Sequence, residues 1–290
     1  MKRGNELEDL VFDTEHIEQV LNEIAINFPG HFDSFSQQPL DPVFQIFIEA
    51  YEKEQEAYRE YLDFSVLDEF EFDPNAFKTH TRNNCPIIRR CLRSQDEVMK
   101  DYKRAFHQVS GRDLLNAVRN ISEFGNEYAK VFDDETHEDA SSPDDLDLEI
   151  LNEGDYGTLG VIGYGIQSSL LYGLYPREFA HRPQNAVWAL YFLSGRQDFG
   201  LVDGSEFLMI REELGTCEQN YIYPAQMFGF YALQVFNNLR EACSEIAVQF
   251  SHQYRYVYLE AFFDHVANRH REDINAYTQS SEYVESRPWF

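Results

Sequence analysis

The spacing of apolar residues along the chain predicts a mainly helical protein. Apolar positions recur every three or four residues in several long stretches, which is the period of one helix face. The first stretch follows Thr14, a capping residue, and Pro29-Gly30 is expected to end it. A second begins at Asp41-Pro42 and places aromatic side chains on one face and glutamates on the other. The same spacing predicts further helices at about 94–109, 112–131, 224–250 and 254–270.

Three shorter segments add detail to this helical pattern. Ala186 to Leu193 is apolar on every side, which predicts a central buried helix. Asp203-Gly204 lies between two apolar runs, a strong short-range signal for a β-hairpin over residues 199–210. Apolar residues at alternate positions from Phe64 to Phe72 indicate a short strand or extended segment. The predicted fold class is therefore mainly α, a multi-helix bundle-like core with one β-hairpin in the C-terminal half.

The stretch from 133 to 153 is the best candidate for a linker. It is acidic, it contains Ser141-Ser142-Pro143 and it has few apolar residues. We therefore predict an N-terminal helical region at 1–132, an acidic linker at 133–153 and a C-terminal helical domain at 154–290 that contains the hairpin. A chain of 290 residues with 43% hydrophobic residues is long enough and apolar enough for this organisation.

Charge is distributed along the chain in blocks that alternate in sign. Residues 1–77 contain 4 Lys and Arg against 19 Asp and Glu, whereas residues 78–130 contain 11 against 6. We call residues 78–130 the basic island. Residues 131–155 then carry 11 acids and no Lys or Arg. With a net charge of −27 at pH 7, the chain is expected to attract another protein with a basic surface.

Composition also bears on the cellular compartment. The four cysteines (Cys85, Cys91, Cys217 and Cys243) lack the short paired spacing of a zinc site. The first 25 residues are acidic and polar, unlike a secretory signal, and no apolar run is long enough to cross a bilayer. These observations predict a cytoplasmic protein that does not enter a membrane.

Motifs for catalysis are incomplete in this sequence. Gly163-Tyr164-Gly165 stands where a dinucleotide-binding turn could lie, but Ser168 replaces the third glycine of that motif. No Walker-type lysine follows a glycine-rich loop, and no Gly-x-Ser-x-Gly sequence is present. Glycines 157, 160 and 163 are better explained by a close approach of the chain to another element. We therefore predict a protein that is not an enzyme and that has no cofactor.

The alternative of a metal-dependent enzyme would rest on carboxylates and a histidine placed on helices. Glu178 and His181 form one Glu-x-x-His pair, whereas a di-iron bundle requires two such pairs and two further glutamates. Glu260 and Asp264 are four residues apart and share a helix face. These four residues are weak candidate metal ligands, because a solvated helix face explains Glu260 and Asp264 more simply.

Cations of the basic island are the candidate binding residues for nucleic acid or an acidic partner. They are Arg89, Arg90, Arg93, Lys100 and Arg104. Lys100, Arg104 and His107 recur at i, i+4 and i+7 and so form one ridge, which could contact phosphates. The alternative is internal pairing, as between Asp101 and Arg104 on the same helix.

No motif in the chain identifies a known protein family. The charge layout, the 15% aromatic content and the incomplete catalytic motifs favour a non-enzymatic acidic protein that binds another protein. It would be a subunit of an assembly or an inhibitor of a nucleic-acid-handling factor, with Trp289 and Phe290 as anchors in the partner. The alternative is a nucleic-acid-associated module of a microbial defence or mobile-element system, which would contact nucleic acid through residues 89–104.

Overall fold

Helices are the only regular secondary structure that the computed structural model contains in the residues it describes, which are 13–95, 99–196 and 225–279. The N-terminal helices are α1 (Thr14–Phe35), α2 (Leu40–Leu62), α3 (Phe64–Glu69), α4 (Pro74–Asn84), α5 (Pro86–Arg93), α6 (Lys100–Gln108), α7 (Gly111–Val131) and α8 (Asp134–Glu138). They are followed by α9 (Tyr164–Leu174), α10 (Gln184–Leu193), α11 (Ala225–Glu245), α12 (Arg255–Arg269) and α13 (Arg271–Gln279). Short 3₁₀ helices occupy Pro143–Leu146, Glu149–Asn152, Gly154–Tyr156 and His252–Tyr254. The predicted mainly helical fold class is confirmed.

The β structure predicted from the sequence is not found in these residues. The predicted hairpin at 199–210 lies outside the described residues, and within them extended backbone pairs only in an isolated bridge between Thr158 and Ile162. The predicted strand at Phe64–Phe72 is wrong, because its first part forms α3. Asp63 caps this helix by accepting a hydrogen bond from the backbone N–H of Ser65 at 2.8 Å, and Leu67 is fully buried. A cap and one buried anchor therefore outweigh the alternating spacing.

The first helix continues through the proline that was expected to end it. Pro29 lies inside α1, where it removes one backbone hydrogen bond at a cost of about 3 kcal/mol. Phe28, Phe32 and Phe35 on either side are buried, and the rings of Phe28 and Phe35 lie 5.3 and 5.4 Å from that of Phe262 in α12. Full burial of one phenylalanine contributes about 1.5–3 kcal/mol, so three such rings offset the cost of the proline.

The centre of the core is α10. Every residue from Ala186 to Leu193 is buried, which confirms the prediction of a helix that is apolar on all sides. This helix packs against α12 and α1, and α12 in turn contacts α2 and α11. Burial on every side of α10 leaves no face for solvent, and this explains the absence of charged residues from Ala186 to Leu193.

A second group of helices joins this centre through α9. Helices α4 and α7 pack together, while α9 contacts both α7 and α2. Gly173 of α9 allows this approach, because a Cβ atom at that position would lie 2.5 Å from the ring of Tyr58. One continuous cluster of buried side chains includes residues from both sides of 133–153. The division into two domains stays a prediction.

The acidic segment at 133–153 folds against the core as α8 and two of the 3₁₀ helices. Leu146, Leu148 and Leu151 are buried, and the first two pack beside Gly229 of α11. The acidic residues between these leucines are exposed. The leucines of this stretch are therefore spaced so that they reach the core while the carboxylates between them stay in solvent.

Candidate functional site

The predicted binding residues of the basic island lie on two consecutive helices that contact each other. Arg89, Arg90 and Arg93 belong to α5, and Lys100 and Arg104 belong to α6. All of them are exposed except Arg89, which is half-buried. The ridge that includes His107 also faces solvent, as the helical spacing indicates.

Several arginines of the island are paired with carboxylates of the first acidic block, residues 1–77. The guanidinium of Arg90 lies 2.5 Å from Glu54 of α2. On α7, Arg112 contacts Glu71 and Arg119 contacts Asp68, both at 2.7 Å. Exposed pairs of this kind contribute only about 0–1 kcal/mol to stability. Each pair nevertheless cancels a positive charge at short range, so the first acidic block neutralises three cations of the island.

Other cations of the island bind backbone carbonyl groups near the ends of helices. The Lys78 ammonium donates to the carbonyls of His107 and Val109, both at 2.7 Å, where α6 ends. Lys103 donates to the Ser94 carbonyl, at 2.5 Å, where α5 ends. A cation at a helix C-terminus satisfies carbonyls without an intrahelical partner and interacts favourably with the helix dipole. Part of the island's charge is therefore structural.

An open groove of about 820 Å³ lies beside these helices, and we call it the acidic groove. One wall is the end of α6 with the turn that follows it, at 105–110. A second wall is the face of α7 that carries Asp113, Asn116 and Asn120, and the third is the chain from Gly154 to Gly160. The volume lies within the range of about 300–1,000 Å³ that is typical of ligand sites.

Two contacts hold the third wall of the groove in place. Gly160 has a positive φ of 75°, and a Cβ atom there would lie 2.7 Å from the Cβ of Ala105 on α6. At the other end, the Asn120 side chain donates to the Asp155 carbonyl at 2.9 Å. Only glycine fits the first contact without strain. The glycine spacing noted in the sequence therefore marks a close approach between chain segments, as predicted, and here it shapes a groove.

The groove concentrates negative charge. Asp113 and Asp155 line it, and no lysine, arginine or histidine does so in the described part of the chain. Burial, with the nearby carboxylates of Glu153, Glu123 and Asp155, raises the pKa of Tyr156. Within the described ranges no lysine or arginine forms an ion pair with any of the four carboxylates, which are those of Asp113, Glu123, Glu153 and Asp155. The potential in this groove therefore favours a positively charged occupant.

The four weak metal-ligand candidates do not form one site. His181 and Glu260 do meet, with His181 Nδ1 at 3.0 Å from Glu260 Oε1. The second carboxylate oxygen of Glu260 accepts a hydrogen bond from the Tyr172 hydroxyl at 2.5 Å. Burial by itself would raise the pKa of Glu260, but the His181 imidazole and these two hydrogen bonds lower it below its usual value. Glu260 is thus held as an anion by its neighbours.

The same chain of hydrogen bonds continues to Ser169, which lies 3.1 Å from His181 Nε2. A serine, an imidazole and a carboxylate in this order can activate a hydroxyl as a nucleophile. Here Ser169 is only 3% exposed, and its hydroxyl also lies 2.9 Å from the Gly165 carbonyl of the preceding helical turn. Ser169 lies in the middle of α9, and its burial leaves little access for a substrate. These hydrogen bonds therefore connect α9 and α12 through His181.

The other two candidates have different partners. Glu178 is buried, and burial raises its pKa. The carboxylate of Asp264 accepts hydrogen bonds from the side-chain amides of Asn185, at 2.5 Å, and Asn268, at 2.7 Å. Amide donors therefore occupy both oxygens that a metal ion would need.

The structure also reveals a charged cluster that sequence reasoning missed. Arg255 is 0% exposed, and its guanidinium donates to Asp134 and Glu138, each at 2.7 Å. Arg177 binds Asp134 through two hydrogen bonds, and Arg240 binds Glu138. The hydrogen bonds from Arg177, which are the largest cause, and from Arg255 lower the pKa of Asp134 to about 2. The spacing of Asp134 and Glu138 by one helical turn was the available signal, but it lay in a segment interpreted as a linker.

This cluster holds the only group of three possible metal ligands that converge in the described residues. Asp134, Glu138 and His252 place ligand atoms within 4.8 Å of one another. The two carboxylates, however, already accept hydrogen bonds from three arginines. Those positive charges would oppose a cation, so we interpret the cluster as an ion-pair network between α8, α11 and α12.

The predicted partner anchors Trp289 and Phe290 lie outside the described residues. No family model, curated protein or solved structure matches the chain. Among the helices of the described ranges, none is both long enough and apolar enough to cross a lipid bilayer.

Proposed function

We propose that this protein is non-enzymatic and acts by binding another protein that has a basic surface. It would do so as a subunit of an assembly or as an inhibitor of a nucleic-acid-handling factor. The observation that supports this proposal is the internal pairing of the basic island. Arg90, Arg112 and Arg119 contact acids of the chain itself, so a partner meets less unpaired positive charge on the island than the sequence indicates.

The remaining acidic surface supports the same proposal. Asp134 and Glu138 of α8 form ion pairs with three arginines of the C-terminal half, Arg177, Arg240 and Arg255. The chain between α8 and Gly154 includes four exposed carboxylates that form no ion pair with any described residue. They are Asp139, Asp144, Asp147 and Glu149. Uncompensated charge on a folded surface steers an oppositely charged partner and raises its association rate.

The two alternative functions stay predictions without a comparable observation. A nucleic-acid module would use Arg89 to Arg104, and part of that charge is already neutralised or bound to helix ends. A metal-dependent enzyme would use Glu178, His181, Glu260 and Asp264. Of these, His181 and Glu260 contact each other, whereas Asp264 is bound by side-chain amides.

The experiment is affinity capture with the tagged full-length chain from its native cells, followed by reconstitution with the purified captured protein. We expect that protein to be basic, and its affinity to fall at least about tenfold between about 0.1 and 1 M salt, where the Debye length shortens from about 10 to 3 Å. A variant that neutralises acids (Asp144→Asn, Asp147→Asn and Glu149→Gln) should bind more weakly. The matched island variant (Arg93→Gln and Arg104→Gln) should bind at least as tightly as the wild type.

Two results would contradict the proposal. Affinity that does not change with salt would remove its electrostatic basis. Capture of nucleic acid, with binding abolished in the island variant, would favour the nucleic-acid module instead.

A further inference from the structure

We infer that the acidic groove holds an extended segment of the partner protein, and that lysine or arginine side chains of this segment enter the groove. This inference rests on the proposed function, and it specifies where a basic partner docks. Its basis is the combination of a shaped groove of about 820 Å³ with unpaired carboxylates at defined positions on two of its walls.

The shape of the groove suits an extended chain. One wall is a row of side chains along a single helix, because Asp113, Asn116 and Asn120 recur at the spacing of one helix face. The opposite wall is the glycine-containing chain at 154–160, fixed at Gly160 and at Asp155. The walls meet at the hydrogen bond from Asn120 to Asp155 and at the contact of Gly160 with Ala105, and the groove between these contacts is open to solvent. A partner segment can therefore enter it without rearrangement of the fold.

The charge of the groove selects a cationic occupant. Asp113 lies on the helix wall and Asp155 lies on the wall formed by residues 154–160, so cations that enter the groove are attracted by carboxylates on two of its walls. Glu123 and Glu153 add negative charge near Tyr156. The same carboxylates would repel the phosphates of a nucleic acid. Charge complementarity therefore favours a basic protein segment over a polyanion.

Uncharged groups in the groove fit the rest of such a segment. The amides of Gln108 and Asn116 are exposed and can both donate to and accept from a peptide backbone. Leu159, which is 86% exposed, lies in the third wall and offers an apolar contact to the aliphatic part of a lysine or arginine. Each part of a basic peptide thus has a matching group in this groove.

The test uses fluorescence anisotropy with the full chain and a fluorescein-labelled peptide of alternating lysine and glycine. Asn116→Lys places a cation in the groove, and Asn22→Lys places the same charge on an exposed position of α1. We expect the groove variant to weaken peptide binding about tenfold and the α1 variant to change it less than about twofold. Circular dichroism checks that both variants are folded.

A second pair of variants removes a charge instead of adding one. Asp113→Asn and Asp41→Asn each neutralise an exposed aspartate in the first turn of a long helix, so their effects on the helix dipole are matched. Only Asp113→Asn should weaken the binding of the peptide. Equal weakening within either pair would overturn the groove as the docking site while the proposed function stands. No binding of the peptide by the wild type at low salt would overturn both.

Discussion

Replacement of Arg255 by methionine should destabilise the protein, because it removes the centre of the charged cluster. The Arg255 guanidinium donates to the Arg177 carbonyl at 2.6 Å and to Asp134 and Glu138 at 2.7 Å. It also lies between the rings of Phe132 and Phe236, 5.4 and 5.8 Å from their centroids. Methionine fills most of the same space in contact with these rings but cannot bind the carboxylates.

The magnitude follows from the burial of the partners. Removal of one partner from a buried ion pair costs about 3–5 kcal/mol, because a charge is left without compensation. Here the side chains of Asp134 and Glu138 are 26% and 14% exposed, and each keeps a second arginine. The loss should therefore lie at the lower end of that range, about 3 kcal/mol.

Urea unfolding followed by circular dichroism measures this loss as a shift of the midpoint at a common slope. The control is Arg119→Met, which breaks a contact to Asp68, a residue whose side chain is 68% exposed. That variant should lose no more than about 1 kcal/mol. If Arg255→Met lies within about 0.5 kcal/mol of the wild type, the reasoning that the cluster stabilises the fold is refuted.

Two further variants test burial in other parts of the fold. Burial, with the nearby positive charge of Arg255, lowers the pKa of His137 from about 6.5 to about 3. The contribution of neutral His137 to stability is therefore complete above about pH 6.5 and is lost as the pH falls toward 3. In His137→Asn, the free energy of unfolding in urea should decline less steeply between about pH 6.5 and 4. The same decline as in the wild type would contradict this. Gly173→Ala places a Cβ atom 2.5 Å from the Tyr58 ring and should cost about 1–3 kcal/mol. The matched control is Gly30→Ala, where a Cβ atom would have no neighbour within 4 Å and stability should rise by about 0.5–1 kcal/mol. Thermal unfolding measures both variants. Similar melting temperatures for the two would count against the packing described for α9.

The position of most helices could be predicted from the sequence, because helix formation follows from residues three and four apart. The stripe of α7, with Leu114, Val118 and Ile121 buried, is the clearest example. Predictions from a single local signal failed where packing overrode that signal. Pro29 did not end α1, and alternating apolar residues after Phe64 did not form a strand.

The candidate site could be predicted only in part. The sequence indicated an exposed cationic ridge on α6, and this ridge is present. It did not indicate which acids neutralise the island, because Arg112 and Glu71 are 41 residues apart and Arg90 and Glu54 are 36 apart. The hydrogen-bonded pair of His181 and Glu260 combines one member from each of two pairs that had been considered separately.

By itself, the sequence determined the helical class, the buried central helix at Ala186–Leu193 and the alternation of charge along the chain. Only the tertiary structure decided that the first acidic block lies against the basic island, that Arg255 is buried between Asp134 and Glu138, and that the glycine segment forms one wall of a groove. The physical reason is the range of the interactions. Helix periodicity and hydrophobicity act between neighbours in the chain, whereas ion pairs and grooves depend on which distant segments the packed core brings together.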